Sequence, residues 1–315
     1  MASIYHGRGA AIGFGAETTS NWGVAVARTN WRPLISSSLT RTIEKVPRPN
    51  LRVGAAGAMR RQHYTQVDSA GGSFSIEATY ENIGIILEHT LGASTTTGSG
   101  PYTHTYTFAD DLPVGLTIEN NRGTGTSEVF EGARISTATL ACEAGGILTI
   151  DAEVIAQTSS ARAGLASTTF GSGDTPILHS HAGTLAFGGS TYDLIDLSLV
   201  VNNALSTRMK LGDATTKQPL RADFQSVEFS CNVEVDDALY AAFVNDTESD
   251  AVITFTAGSQ SFAITVQNAF LTECTDPVSD ANIIKQSLKF MGQSDGTDEG
   301  LKIVVINNTS TATGN

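Results

Sequence analysis

His179 and His181 are separated by a single residue. On a strand, side chains two positions apart share a face, so both imidazoles would be presented together, as a metal pair requires. No carboxylate or cysteine stands at a ligand spacing from them, and the pair reads more simply as a polar strand face. Asp151 and Glu153 have the same spacing. Paired carboxylates can share acid and base roles. Here they sit on a regularly alternating segment, where such residues mark the wet side. Arg122 and Arg134 flank the loop from Gly123 to Ser127, whose backbone N–H groups could cradle an anion. Subunit contact or plain turn chemistry accounts for that loop as well. The glycine-dense stretch from Gly7 to Gly15 lacks the spacing of a dinucleotide loop, with no strand before it and no helix after it. It reads as an extended arm whose backbone approaches a neighbour closely.

The cysteines are equally quiet. Cys142, Cys231 and Cys274 are odd in number and far apart, which argues against a disulfide framework. Cys142 and Cys231 fall in alternating apolar stretches and read as small buried hydrophobes. That usage fits a chain folding in a reducing cytoplasm. The nucleophile elbow, the phosphate loop, the His-Glu-x-x-His helix and the Cys-x-x-Cys motif are all absent from the sequence. No catalytic residue, cofactor-binding residue or metal ligand is assigned, no cofactor is expected, and the chain does not read as an enzyme.

The charge balance also excludes partners. Nineteen Lys and Arg face thirty-two Asp and Glu, for a formal net charge of −13 over 315 residues. Nucleic-acid binders gather cations on one face and gain from counterion release; no basic cluster of that density is present. Nucleic acid meeting this chain is tolerated or repelled, not gripped. The first residues, Met1 to His6, carry no secretory pattern. The longest apolar runs, Ile83 to Leu87 and Ile303 to Ile306, are far too short to span a bilayer, so no membrane partner is expected.

The elements that must position any site are strands. Alternation predicts them over 73–80, 102–108, 115–119, 133–144 and 147–155 in the first half. In the second half it predicts them over 252–256, 262–271, 283–291 and 301–306. Gly188 and Gly189 join strands over 183–187 and 192–201 as a tight hairpin. Two short helices are predicted. The first places Ile83, Ile86, Leu87 and Leu91 on one face and stops at Gly92. The second starts at Asp236 as N-cap, carries Leu239, Ala242 and Phe243, and stops at Asn245. A strand over 35–43 leads into a long loop through Pro47, Pro49 and Arg60 to Tyr64.

These elements repeat. Phe74 to Thr79 alternates and runs into the first helix; Phe229 to Val235 alternates and runs into the second. A Ser-, Leu- and Thr-rich strand precedes each, and helix-free strands follow each. A unit used twice suggests an assembly part rather than a single active site. The stretch Thr158 to Thr175, rich in Ser, Thr, Gly and Ala, marks the boundary, giving modules over 1–160 and 161–315.

Several short motifs carry a resemblance: Gly72 to Glu77, Leu91-Gly92, Tyr102 to Tyr106, Leu112-Pro113, Phe130 to Ala133, Gly146 to Thr149, and, later, Val201 to Asn203, Arg208, Leu211-Gly212 and Ile306 to Asn308. Ile12 to Thr19 belongs with them. Together they resemble the major tail tube proteins of long-tailed, siphovirus-like bacteriophages, in a duplicated-domain form. The resemblance implies a mainly β fold: two tandem β-sandwich or barrel modules, each with one short flanking α-helix. It implies trimeric, pseudo-hexameric rings of this chain stacked into a hollow tail tube through which DNA passes during ejection. The tape measure protein and the tail tip and terminator proteins are the implied partners, the virion tail the location, and the host cytoplasm the place of assembly. The N-terminus and the segment Trp31 to Tyr64 are the arms expected to bridge rings. Two other readings compete. One is a different β-sandwich virion protein, such as a tail terminator or decoration protein. The other is a carbohydrate-binding or adhesive module, disfavoured because Trp22 and Trp31 lie in the irregular N-terminal region rather than on one strand face.

Overall fold

The computed structural model describes residues 7–47, 63–123, 126–160, 163–164, 168–171, 174–277, 284–297 and 299–313. The first half contributes β1 (Ala10–Ala16), β2 (Asn30–Pro33), β3 (Ser36–Ser37), β4 (Thr40–Pro47) and β5 (His63–Glu77). Then come α1 (Gly84–Leu91), β6 (Gly92–Thr97), β7 (Tyr102–Phe108), β8 (Leu116–Arg122), β9 (Thr126–Glu143), β10 (Thr149–Ala156), β11 (Thr158–Ser159) and β12 (Ala163–Gly164). The second half contributes β13 (Ala182–Phe187), β14 (Ser190–Asn202), β15 (Leu205–Arg208), β16 (Lys217–Arg221) and β17 (Ser226–Glu234). It ends with α2 (Asp237–Val244), β18 (Ser249–Ala257), β19 (Gln260–Thr275), β20 (Lys285–Met291) and β21 (Leu301–Asn307). The fold is mainly β, as the alternation predicts.

One antiparallel layer runs through both halves. Its order is β4-β5-β10-β9-β14-β17-β20-β19, with β3 continuing the β4 edge. Two shorter layers cover it. The first is β2-β1-β8-β9, extended by β11 and β12. The second is β13-β18-β19-β21-β7-β6. The long strands β9 and β19 bend and belong to two layers each. Phe14 meets Phe74 across one sandwich, with ring centroids 5.3 Å apart, and Phe187 meets Phe290 across the other at 4.9 Å. Period-two burial drives this. Val227, Phe229, Cys231 and Val233 of β17 are buried while their neighbours point away. Fully burying a Phe contributes about 1.5–3 kcal/mol. The buried apolar residues of both halves form one contiguous core.

The bends come from bulges. β8 pairs Leu116 with Ala133 and then Ile118 with Phe130, and the extra residue is Gly132 at φ 64°. β18 pairs Ser249 with Ala269 and then Ala251 with Val266, and there Asn268 takes φ 48°. Gly and Asn are the residues that enter this left-handed region at least cost. Glu17 secures the first bend: its buried carboxylate accepts from Gly132 N at 2.8 Å, Gly23 N at 2.8 Å and Thr117 Oγ1 at 3.0 Å.

Both helices sit where expected. Ile83, Ile86, Leu87 and Leu91 are buried, and Gly92 caps α1 at φ 116°. Asp236 caps α2 by accepting from Ala238 N at 2.7 Å, and Asn245 ends it.

Three expectations are corrected. The glycine-dense segment is not a free arm: Ala10 to Ala16 is β1, paired on both flanks, because Gly13 lets the Trp31 ring lie against its backbone. The strand expected over 35–43 is present as β3 and β4, with β2 before it, but the chain stays in strand as far as Pro47 instead of passing into loop after residue 43. The rest of the expected loop, 48–62, lies outside the described residues. The link at Thr158 to Thr175 is partly strand, since β11 and β12 pair with β9. Asp174, from the same link, holds the fully buried Arg32 at 2.9 Å.

Two consequences are measurable. A side chain at position 132 combines an unfavourable φ with a clash, since a Cβ there would stand 2.9 Å from the Trp22 ring. Gly132→Ala should lower the unfolding free energy by about 1–3 kcal/mol in urea titration, with secondary structure retained. His89 of α1 is buried, and burial first, then Arg134, pushes its imidazole down from 6.5 to about 3. The unfolded chain takes up this proton and the folded chain refuses it. Stability is therefore complete above about pH 6.5 and declines as pH falls toward 3, by up to about 1.4 kcal/mol per pH unit. His89→Gln should flatten that decline between pH 6.5 and 4.5.

Candidate functional site

Along the long inner layer one face packs into the core and the alternate residues form an open polar face. On β10, Asp151 and Glu153 are both exposed there, as their spacing predicts for a wet strand face. Register places Asp151 between Ser75 and Thr139, and Glu153 between Ser73 and Thr137. The second half supplies Asp196, Glu228 and Glu234 on the same face, with Lys285 and Lys289 on β20. Lys289 is engaged by Glu228 at 2.7 Å. Asn232 Nδ2 donates to Asp196 at 2.8 Å and Ser287 Oγ lies 2.5 Å from Asn232 Oδ1, so polar groups bridge three neighbouring strands. The surface is solvent-facing, Ser- and Thr-rich and predominantly acidic. Such a surface repels phosphate.

The edges of this layer are its second feature. From Thr137 to Ala141, β9 is paired on one side with β10 and on the other with β14. β19 over Phe270 to Thr275 is paired with β20 alone. At the opposite edge, β3 and β4 are paired with β5 alone. Among the described residues no strand lies on the outer flank of either edge. Unpaired strand flanks are templates for another chain.

The other candidates are dispersed. His179 and His181 lie on a 3-10 helix, not a strand, and diverge: His181 Nδ1 bonds to the Tyr80 hydroxyl at 3.1 Å, while His179 Nδ1 lies 3.3 Å from Gly146 O. Among the described residues no group of three or more His, Cys, Asp or Glu is placed to hold a metal ion. Arg134 is buried and donates to the carbonyls of Leu112, Pro113, Val114 and Pro219, with its long bond at 3.2 Å. Arg122 donates to Leu39 O at 2.7 Å and faces Glu128 at 3.3 Å. Neither arginine is free for an anion, and 124–125 of the intervening loop lie outside the described residues. All three cysteines are buried, and burial raises each thiol above its usual value. That is the opposite of an activated nucleophile. Among the described residues no helix is long and apolar enough to cross a membrane.

A strand-rich body with two open edges and an acidic polar face defines an assembly component. The family model described as phage tail tube protein matches residues 7–292, and the chain belongs to that family. It is thus a structural protein of the virion tail, of a family whose members self-assemble into a tube. No curated protein matches the chain. The sequence motifs found the family; they did not find the edges, because pairing partners lie far apart in the chain and edge status is a property of the whole sheet.

Proposed function

We propose that the chain is a tandem duplication, that three copies close into a pseudo-sixfold ring, and that stacked rings enclose a channel for DNA. The observation that carries this is the β9–β14 junction, where the first four strands of the inner layer meet the second four. The two sets have the same order: β4-β5-β10-β9 and then β14-β17-β20-β19. The bulges correspond as well. Glu153 opposes Thr137 and Val154 opposes Ile135 in one set; Lys289 opposes Glu273 and Phe290 opposes Leu271 in the other. Modules over 1–160 and 161–315 accommodate both sets.

On this reading the β9–β14 junction is an internal copy of the contact between molecules. The β19 edge of one chain pairs with the β3–β4 edge of the next. Thr137 opposes Asn202 and Thr139 opposes Val200 within the chain. Carrying that register over sets Glu273 opposite Thr42, and Thr275 opposite Thr40, of the neighbouring copy. A closed ring removes both edges at once. The open acidic face then lines the channel, and DNA passes without being held. Head-to-tail stacking is a heterologous contact, which extends without limit. The tape measure protein and the tip and terminator proteins fit as what fills and ends such a tube, and the host cytoplasm as where it is built.

Electron microscopy of purified protein tests the reading. Hollow tubes of uniform width with three chains per ring are expected. A monomer that never polymerises, even with its initiating partners present, contradicts it. The lining has its own test. Asp151→Lys with Glu153→Lys should leave tubes intact but make them bind short DNA duplexes, with affinity that falls steeply between about 50 and 200 mM salt. Wild-type tubes should show no binding by fluorescence anisotropy over the same range.

A further inference from the structure

The two helices are buried very differently. α1 is buried over nearly its whole length, whereas only Leu239 of α2 is. Tyr240 and Val244 of α2 are 54% and 63% exposed, and Val235 in the preceding corner is 40% exposed. Part of what covers the α1 corner is the 3-10 helix His179–His181, which leads directly into β13. The hydroxyl of Tyr80, the third residue past the end of β5, meets His181 there. Tyr80 N also donates to Thr175 O at 3.1 Å, on the approach to that 3-10 helix.

The matching pieces exist but are apart. A 3-10 helix, Gly7–Gly9, leads directly into β1 and is exposed along its length. β1 pairs with β8 as β13 pairs with β18. The third residue past the end of β17 is Asp237, the first residue of α2, at the open corner. The charges are complementary. That corner carries Glu234, Asp236 and Asp237, with the Asp236 carboxylate already used as the N-cap; the exposed 3-10 helix, held to its own chain by Asn121 Nδ2 donating to Gly9 O at 3.1 Å, carries Arg8.

We propose that the β17–α2 corner is the seat for the Gly7–Gly9 helix of the next copy, with Arg8 set against Asp237 and the Tyr240–Val244 face covered by the same neighbour. This rests on the ring reading above and adds a contact outside the sheet seam. Each ring junction then has two parts: backbone pairing along β19, and an ionic and apolar clasp on the outer side.

A charge exchange tests it. Arg8→Glu should reduce the tube mass sedimented at fixed protein concentration by about tenfold, since a like-charge contact at an interface costs more than 1.4 kcal/mol. Arg8→Glu combined with Asp237→Arg should restore tubes to within about twofold. Tyr240→Ser with Val244→Ser should weaken assembly without lowering the thermal midpoint of the monomer, because both side chains are exposed there. Tubes unchanged by Arg8→Glu and by the α2 double variant would overturn the clasp and leave the ring intact. No rescue by the exchanged pair would overturn the Arg8–Asp237 contact. A wild-type chain that forms no rings under any condition would overturn both readings.

Discussion

A strand must have its backbone groups paired on both flanks or leave them to water, and β9 and β19 are where this chain meets that constraint. Each bends at a left-handed residue, Gly132 or Asn268, and so serves two layers. Beyond the bend, β9 finds β14 inside the same molecule, and β19 finds nothing among the described residues. An eight-strand antiparallel layer with two bare flanks is an unfinished object. Leaving it open would expose an aggregation template. On the ring reading proposed above, closing it with copies of itself turns the same liability into a specific assembly, and the internal β9–β14 register is the template for that pairing.

The electrostatics follow from that arrangement. Residues facing the core are set by packing, so the opposite face of the inner layer is free to carry charge. It carries carboxylates with few lysines, and Lys289 is already engaged by Glu228. If that face lines a channel, as proposed, its charge keeps a polyanion moving. Two of the candidate groups are engaged in holding the fold, as Glu17 is at its bend: His181 ties the second half to Tyr80, and Arg134 gathers four carbonyls.

Much of this was legible from residue order. Strict alternation located β7, β10 and β21 to within a residue or two, and the caps Asp236, Gly92 and Asn245 located the helix ends, because both signals are local. β1 was missed because its glycines carry no alternation; its partner is the Trp31 ring, outside its own segment. The second hairpin, β6–β7, gave a strand signal but not its destination: it extends the layer of the other half by pairing with β21, some two hundred residues on. The buried pair of Arg32 and Asp174 was equally hidden, since their separation of 142 residues leaves no mark in the sequence. The proposed repeat is visible in the sequence as strand–helix pairs, but superposing the two sets of sheet pairings matches Phe74 with Cys231 rather than with Phe229. A two-residue slip keeps every side chain on its face, which is why the pattern alone did not detect it.

The most direct measurement is a reconstruction of the assembled tube at a resolution that shows strand register. β19 of one chain should lie antiparallel to β3–β4 of the next, with Thr275 opposite Thr40, in one continuous wall of three chains per ring. Subunits joined through any other surface, with the β19 edge left bare, would contradict it.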